Sequence, residues 1–187
     1  WMVDYFFNGY ESMGIEKGIV MLSDYLADPN CKTQKRKEIE RRIRGIQTIV
    51  PGTDAKDIVF SDKNANSVSM LNYKTEAKYK LLVFWSAECP HCVQTLSQIH
   101  SWHKENSNLV EVFAVSLDDT ADELKKYQET KKQLTGFHHI LTKGGINSPE
   151  ASSYFVLATP VLFLIDAETN KIIALPNTLD EVLEVIK

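Results

Sequence analysis

Beyond Pro51 the sequence has no arginine: all four, Arg36, Arg41, Arg42 and Arg44, fall in one short segment before it. That absence marks a composition boundary and divides the 187 residues into regions 1–50 and 51–187. Positive charge is scarce overall, with a formal net charge of -4. A chain of this balance lacks the basic footprint that phosphate backbones demand, so nucleic acid is not expected as a partner. The one Lys/Arg cluster, at 35–44, alternates with Glu38, Glu40, Ile39 and Ile43, the pattern of a solvated helix face. No apolar run approaches the ~20 residues of a membrane span. A charged n-region, an apolar h-region and a small-residue cleavage site are also missing after Trp1, so any signal or anchor is expected upstream of the residues given.

Cysteine is equally sparse. Of three, Cys89 and Cys92 lie within one helical turn and Cys31 is left over. Two sulfurs in one turn cannot staple a chain of this length, which excludes a structural disulfide scaffold. Cys31 is expected to act as a small buried hydrophobe.

What is present falls into two periodicities. In region 1–50, Ile15, Ile19, Leu22 and Leu26 recur at helical steps until Asp28-Pro29-Asn30. Thr33 is a candidate cap for a second helix, whose stripe runs Ile39, Ile43, Ile46 and Ile49/Val50 before Pro51-Gly52 stops it. Tyr5, Phe6, Phe7 and Tyr10 predict one more short helix.

From Asp57 the period changes to two. Ile58 and Phe60, then Val68 and Met70 beyond a Ser61 to Asn66 turn, predict a hairpin at a sheet edge. Leu81 to Trp85 is an unbroken apolar run, the mark of a strand covered on both faces. A helix follows from about Cys89 with Val93, Leu96, Ile99 and Trp102 inward. Strand Leu109 to Leu117, helix Ala121 to Leu134, strand Phe137 to Leu141, helix Ser148 to Tyr154, strands Val161 to Ile165 and Ile172 to Leu175, and helix Leu179 to Ile186 complete the order. Parallel crossovers come first and an antiparallel hairpin last.

The chemistry concentrates in Cys89-Pro90-His91-Cys92. A thiolate is the nucleophile of disulfide exchange, and the free N–H groups of a helix start favour negative charge on a cysteine placed there. Cys89 is therefore the expected attacking thiol. Cys92, one turn on, is placed to resolve the mixed disulfide. Pro90 fits the first turn, where its missing N–H has no helical partner, and fixes the backbone between the sulfurs. His91 adds positive charge or a hydrogen bond near the thiolate. Glu88 acts the other way, raising the thiol pKa or carrying a proton. Thr159-Pro160 heads an apolar strand, an unusual place for proline unless its peptide is cis; such a bond would leave the Thr159 backbone to pair with a substrate peptide.

Together FWSAECPHC, the strand ending VSLDD, and ATPVLFLID resemble the thioredoxin superfamily, and their combination is similar to its TlpA/ResA-like branch, over residues 52–187. The resemblance implies a thioredoxin-like three-layer α/β/α sandwich with a mixed central sheet, preceded by a small helical N-terminal region that is part of a longer upstream domain. It implies a cis Pro160 facing Cys89 and an exchange of disulfides with protein thiols or disulfides and with an upstream redox partner. The redox group is then the Cys89-Cys92 disulfide, with no added cofactor, in a periplasmic or otherwise extracytoplasmic compartment. Departures from the family are Val83, where an acidic residue usually precedes the Phe-Trp pair, and Glu88, where Trp usually precedes the first cysteine. The Pro-His pair is one seen in strongly oxidising members.

Three other readings compete. Half a zinc site would recruit His91, His100 or His103, but no second cysteine pair is present and no metal is expected. His138 and His139, in a short strand, read as structural. A thioredoxin-fold peroxidase would use Ser86 beside the cysteine and needs an arginine, which the region after Pro51 lacks. A non-catalytic interaction module conflicts with the intact dithiol.

Overall fold

The computed structural model describes residues 2–13, 15–62 and 66–187, and it divides into two compact units, Trp1–Ile49 and Val50–Lys187.

The first unit holds three helices, α1 (Met2–Ser12), α2 (Glu16–Leu26) and α3 (Arg36–Thr48). The apolar stripes meet in a core of Val3, Phe7, Ile19, Leu22, Leu26, Ile39 and Ile43, with Cys31 partly buried against it. Gly18 permits the close approach of α1 to α2: a Cβ there would lie 2.7 Å from the Tyr10 ring. Thr33 does not cap α3, whose N-cap is Lys35. Its hydroxyl instead donates to Asp4 and accepts from the Lys35 N–H, because the helix begins too late for that side chain to reach a first-turn amide.

The second unit is built on a five-stranded sheet of β3 (Tyr79–Trp85), β4 (Val110–Ser116), β5 (His138–Leu141), β6 (Val161–Asp166) and β7 (Ile172–Ala174), in the order β5-β4-β3-β6-β7. β3, β4 and β5 are mutually parallel, and β6 and β7 are antiparallel additions. Every residue of the central β3 is buried, as its unbroken apolar run requires. Strand alternation splits it: Leu81, Val83 and Trp85 join Cys92, Leu96, Ile99, Tyr127 and Val182 in one core. These come from α4 (Pro90–Asn106), α5 (Ala121–Gln133) and α7 (Leu179–Ile186). Each such fully buried aliphatic side chain contributes about 1.5–3 kcal/mol.

Phe84 points the other way, 5.4 Å from Tyr154 and 6.1 Å from Phe163 between ring centroids. Tyr154 follows the short α6 (Pro149–Ser153). On this face, too, lies the hairpin β1 (Val59–Ser61) and β2 (Ser67–Ser69), paired as a sheet of its own. The edge position expected for it is corrected. Phe60 packs 5.4 Å from Phe113 and 5.0 Å from His138, so the hairpin covers the sheet, driven by burial of that ring, and does not extend it. Part of its expected turn lies outside the described residues.

Candidate active site

Three local rules bring the site together. First, β3 ends at Trp85, and the chain turns back on itself over Ser86 to Cys89, the Cys89 N–H donating to the Ser86 carbonyl at 3.2 Å. Second, α4 starts with Pro90 at its first position, where no N–H is needed, and Cys89 is its N-cap. The Cys92 N–H donates to Cys89 Sγ at 3.1 Å. Third, the Thr159-Pro160 peptide is cis, and it sets the Thr159 carbonyl oxygen 3.7 Å from Cys89 Sγ. Cys89 and Cys92 are joined as a disulfide, with Cα atoms 5.2 Å apart.

The two sulfurs differ in setting. Cys92 is fully buried and belongs to the core between sheet and α4, whereas Cys89 is half-buried at its rim. An incoming thiol or disulfide thus meets Cys89 first. Pro90 and His91 are exposed in the first turn of α4.

Glu88 is also exposed, but its carboxylate does not stand free beside the sulfur. Lys126 Nζ on α5 donates to it at 2.8 Å, and this bond holds Lys126 above the usual lysine range. Glu88 thus stands next to Cys89 as one half of an ion pair. The spacing in sequence, 38 residues, gave no hint of it.

Val83 is buried in the core, as an apolar residue at that place must be. A buried carboxylate is nonetheless close by: Asp118, fully buried just past the end of β4. Its oxygens accept from Ser86 Oγ at 2.7 Å, from the Ala87 N–H at 3.0 and 3.1 Å, and from Ser116 Oγ at 2.6 Å. Tyr127 is 5.9 Å from Trp85 between ring centroids, and burial together with the Asp118 charge pushes its phenol up to about 12. In the sequence Asp118 reads only as a strand terminator. The signal that finds it is the parallel register, which pairs Trp85 with Ser116 and so sets residue 118 alongside residue 87.

Ser86, which a peroxide site would need, is occupied: it donates to Asp118 and accepts from the Glu88 N–H at 3.1 Å. His100 and His103 face away from the dithiol toward Thr135 Oγ1 and the Val110 carbonyl, at 3.4 and 2.9 Å. Among the described residues no group of three or more His, Cys, Asp or Glu is arranged to hold a metal, and no helix is long and apolar enough to cross a membrane.

Residues 51–174 match the model of the AhpC/TSA family. Among solved structures, the chain is similar to the thioredoxin domain of a thiol-disulfide oxidoreductase from Bacteroides vulgatus, at 24% identity over 74% of this chain and 99% of that one, with a TM-score of 0.59. It is similar to a domain of a possible thiol-disulfide isomerase from Cytophaga hutchinsonii, at 25% identity over 72% and 91% with a TM-score of 0.56. A thioredoxin-like protein from Bacteroides caccae aligns with 92% of this chain and 59% of its own, at 16% identity and a TM-score of 0.65. No curated protein matches. The likenesses make the fold thioredoxin-like.

Proposed function

The chain belongs to the AhpC/TSA family, and from that membership we propose that it is a thiol-disulfide oxidoreductase exchanging disulfides with protein substrates through Cys89 and Cys92. The observation that carries the reading is Cys89 as N-cap of α4, with the Cys92 N–H aimed at its sulfur from 3.1 Å and Cys92 buried one turn behind. An amide N–H on a sulfur favours the thiolate, and the thiolate is the form that attacks.

In the reducing direction the Cys89 thiolate attacks one sulfur of a substrate disulfide and expels the other as a thiolate. Cys92, losing its proton, then attacks Cys89 Sγ. This closes the Cys89-Cys92 disulfide and releases the second substrate sulfur, so two electrons have passed to the substrate. The same steps reversed oxidise a substrate dithiol. The redox pair is the cofactor, and an upstream thiol or disulfide partner restores it. Thr159 and Pro160, beside Cys89, are the assigned substrate-binding residues; Pro90, His91 and the Glu88–Lys126 pair tune the thiolate. Similarity of the motifs to TlpA/ResA-like proteins supports an extracytoplasmic, periplasmic placement.

Insulin reduction and refolding of a scrambled disulfide substrate test the reading. Wild type catalyses at least one of them and Cys89→Ser neither; equal rates in the two proteins would end the proposal. Peroxide consumption that survives Cys92→Ser would favour a peroxidase instead. The equilibrium potential against glutathione fixes the direction, on a scale from about -270 mV for thioredoxin-type reductants to about -120 mV for strong oxidants.

A further inference from the structure

Asp118 is a carboxylate just past the end of β4 whose hydrogen bonds run to the dithiol turn and to Ser116 at its own strand end. It is fully buried, and a buried acid persists only where its oxygens are met by donors. Here the donors are Ser86 Oγ, the Ala87 N–H and Ser116 Oγ. Through Ser86 the network reaches one residue further, since the same hydroxyl accepts from the Glu88 N–H. The turn is closed by the Cys89 N–H on the Ser86 carbonyl. Each of these bonds that wind residues 86 to 89 thus has Ser86 or Asp118 as a partner.

The residues that flank Asp118 are held as well. The Leu117 N–H donates to the Trp85 carbonyl at 2.9 Å, continuing the β3–β4 ladder past the strand end. Gly145 lies against the segment so closely that a Cβ on it would sit 2.9 Å from the Leu117 carbonyl oxygen and 3.5 Å from Asp119 Cβ. Its φ of +55° is also one that glycine adopts freely. A rigid anchor of this kind is what a fixed turn requires.

We propose that Asp118 is a positioning residue for the dithiol: by clamping Ser86 and Ala87 it fixes the turn that presents Cys89 Sγ to the Cys92 N–H and to the Thr159 carbonyl. This rests on the disulfide-exchange reading of Cys89. The role is one of hydrogen-bond geometry, carried by acceptor oxygens. Charge is not what it uses, and the two are separable. Asp118→Asn keeps an acceptor for the Ala87 N–H and removes the charge; Asp118→Ala removes both.

The test is the pH profile of alkylation of Cys89 by iodoacetamide in the reduced 187-residue protein, with Cys92→Ser in the background so that a single thiol of the pair reports. Asp118→Ala moves the midpoint upward by about one pH unit, which is about a tenfold loss of reactive thiolate at pH values well below it. Ser86→Ala, a smaller cut in the same network, moves it in the same direction by less. Asp118→Asn stays within about a third of a unit of its parent. A merely structural residue would lower the melting temperature in Asp118→Ala and leave the profile where it was, and that result overturns the proposal. So does an equal shift in Asp118→Asn and Asp118→Ala, which would assign the effect to charge. If Asp118→Ala does not fold, Ser86→Ala decides alone. Alkylation reads Cys89 whether or not the protein turns over substrate, so failure of this inference is distinct from Cys89→Ser retaining activity, which removes the oxidoreductase reading.

Discussion

Lys80 shows what one residue can do against its own propensity. It sits in the middle of the sheet with none of its surface exposed, where an unpaired ammonium would be too costly to keep. Burial lowers its pKa, so the charge survives only by donation: Nζ reaches the Met70 and Leu71 carbonyls, each at 2.9 Å, and Asn170 Oδ1 at 3.0 Å. One side chain thereby ties the end of the hairpin β1–β2 to the turn between β6 and β7. Replacement by Met keeps most of the volume and removes the charge penalty. It leaves Asn170 Oδ1 without this donor and Met70 O with only a 3.4 Å bond from the Tyr73 N–H. Hydrogen bonds from a charged donor contribute about 1.5–3 kcal/mol each, and an orphaned buried acceptor costs about 1–3 kcal/mol. The donors lost outweigh the desolvation recovered. Lys80→Met is expected to lower stability by about 2 kcal/mol, seen as a lower urea midpoint at unchanged slope. A midpoint equal to wild type would mean that desolvation and hydrogen bonding cancel there, and the clamp would have no energetic content.

At the level of elements, α4 and β5 share a histidine cluster around Phe137. Its ring centroid lies 5.6 Å from His100, 5.4 Å from His103 and 6.2 Å from His139. Burial lowers the pKa of all three, with Lys104 adding to the effect at His100 and Lys131 at His139. His103 Nε2–H donates to the Val110 carbonyl and His139 Nε2–H to the Leu134 carbonyl, at 2.9 and 2.8 Å. A folded pKa below the unfolded value of 6.5 means that the unfolded chain takes up protons the folded one refuses. Stability is then complete above about pH 6.5 and falls as the pH drops through it toward the folded value. Glu111 behaves differently. Burial raises its pKa, but hydrogen bonds from His138 at 2.7 Å and Thr75 at 2.8 Å outweigh this and hold it below 4.5. Its contribution lasts until the pH falls below that value. The urea midpoint should therefore decline between pH 7.5 and 5.5, with a further loss below pH 4.5, and His103→Gln should decline less steeply over the first interval. A flat midpoint from 7.5 to 5.5 would refute this account.

For the whole molecule, periodicity carried most of the fold. Leu81 to Trp85 reads as a covered strand, and β3 is buried throughout. The three-helix start and the closing antiparallel pair are equally visible in the spacing of apolar residues. At the site, the placement of the two thiols at the start of α4 and of Thr159 before a cis proline was legible, because it follows from adjacency along the chain and from proline's backbone. The hairpin's place, the Glu88–Lys126 pair and Asp118 were not, since each depends on which strand lies beside which, and no single sequence prints a register. The two units also keep separate cores: Val3 to Ile43 supply one, Tyr79 to Val182 the other. The segment after Val50 is bonded within the second unit, with the Gly52 N–H on the Ile172 carbonyl at 2.7 Å and the Ile172 N–H on the Thr53 carbonyl at 2.9 Å. With 138 residues, counted from Val50 to Lys187, the second unit is within the usual size of an independent domain. A chain beginning at Val50 should therefore fold cooperatively, keep the near-ultraviolet circular dichroism of its buried Trp85, and alkylate at reduced Cys89 with the midpoint of the 187-residue protein. Loss of a cooperative transition in that truncated chain would show that the dithiol domain draws its stability from residues 1–49, and the division into two self-sufficient cores would fail.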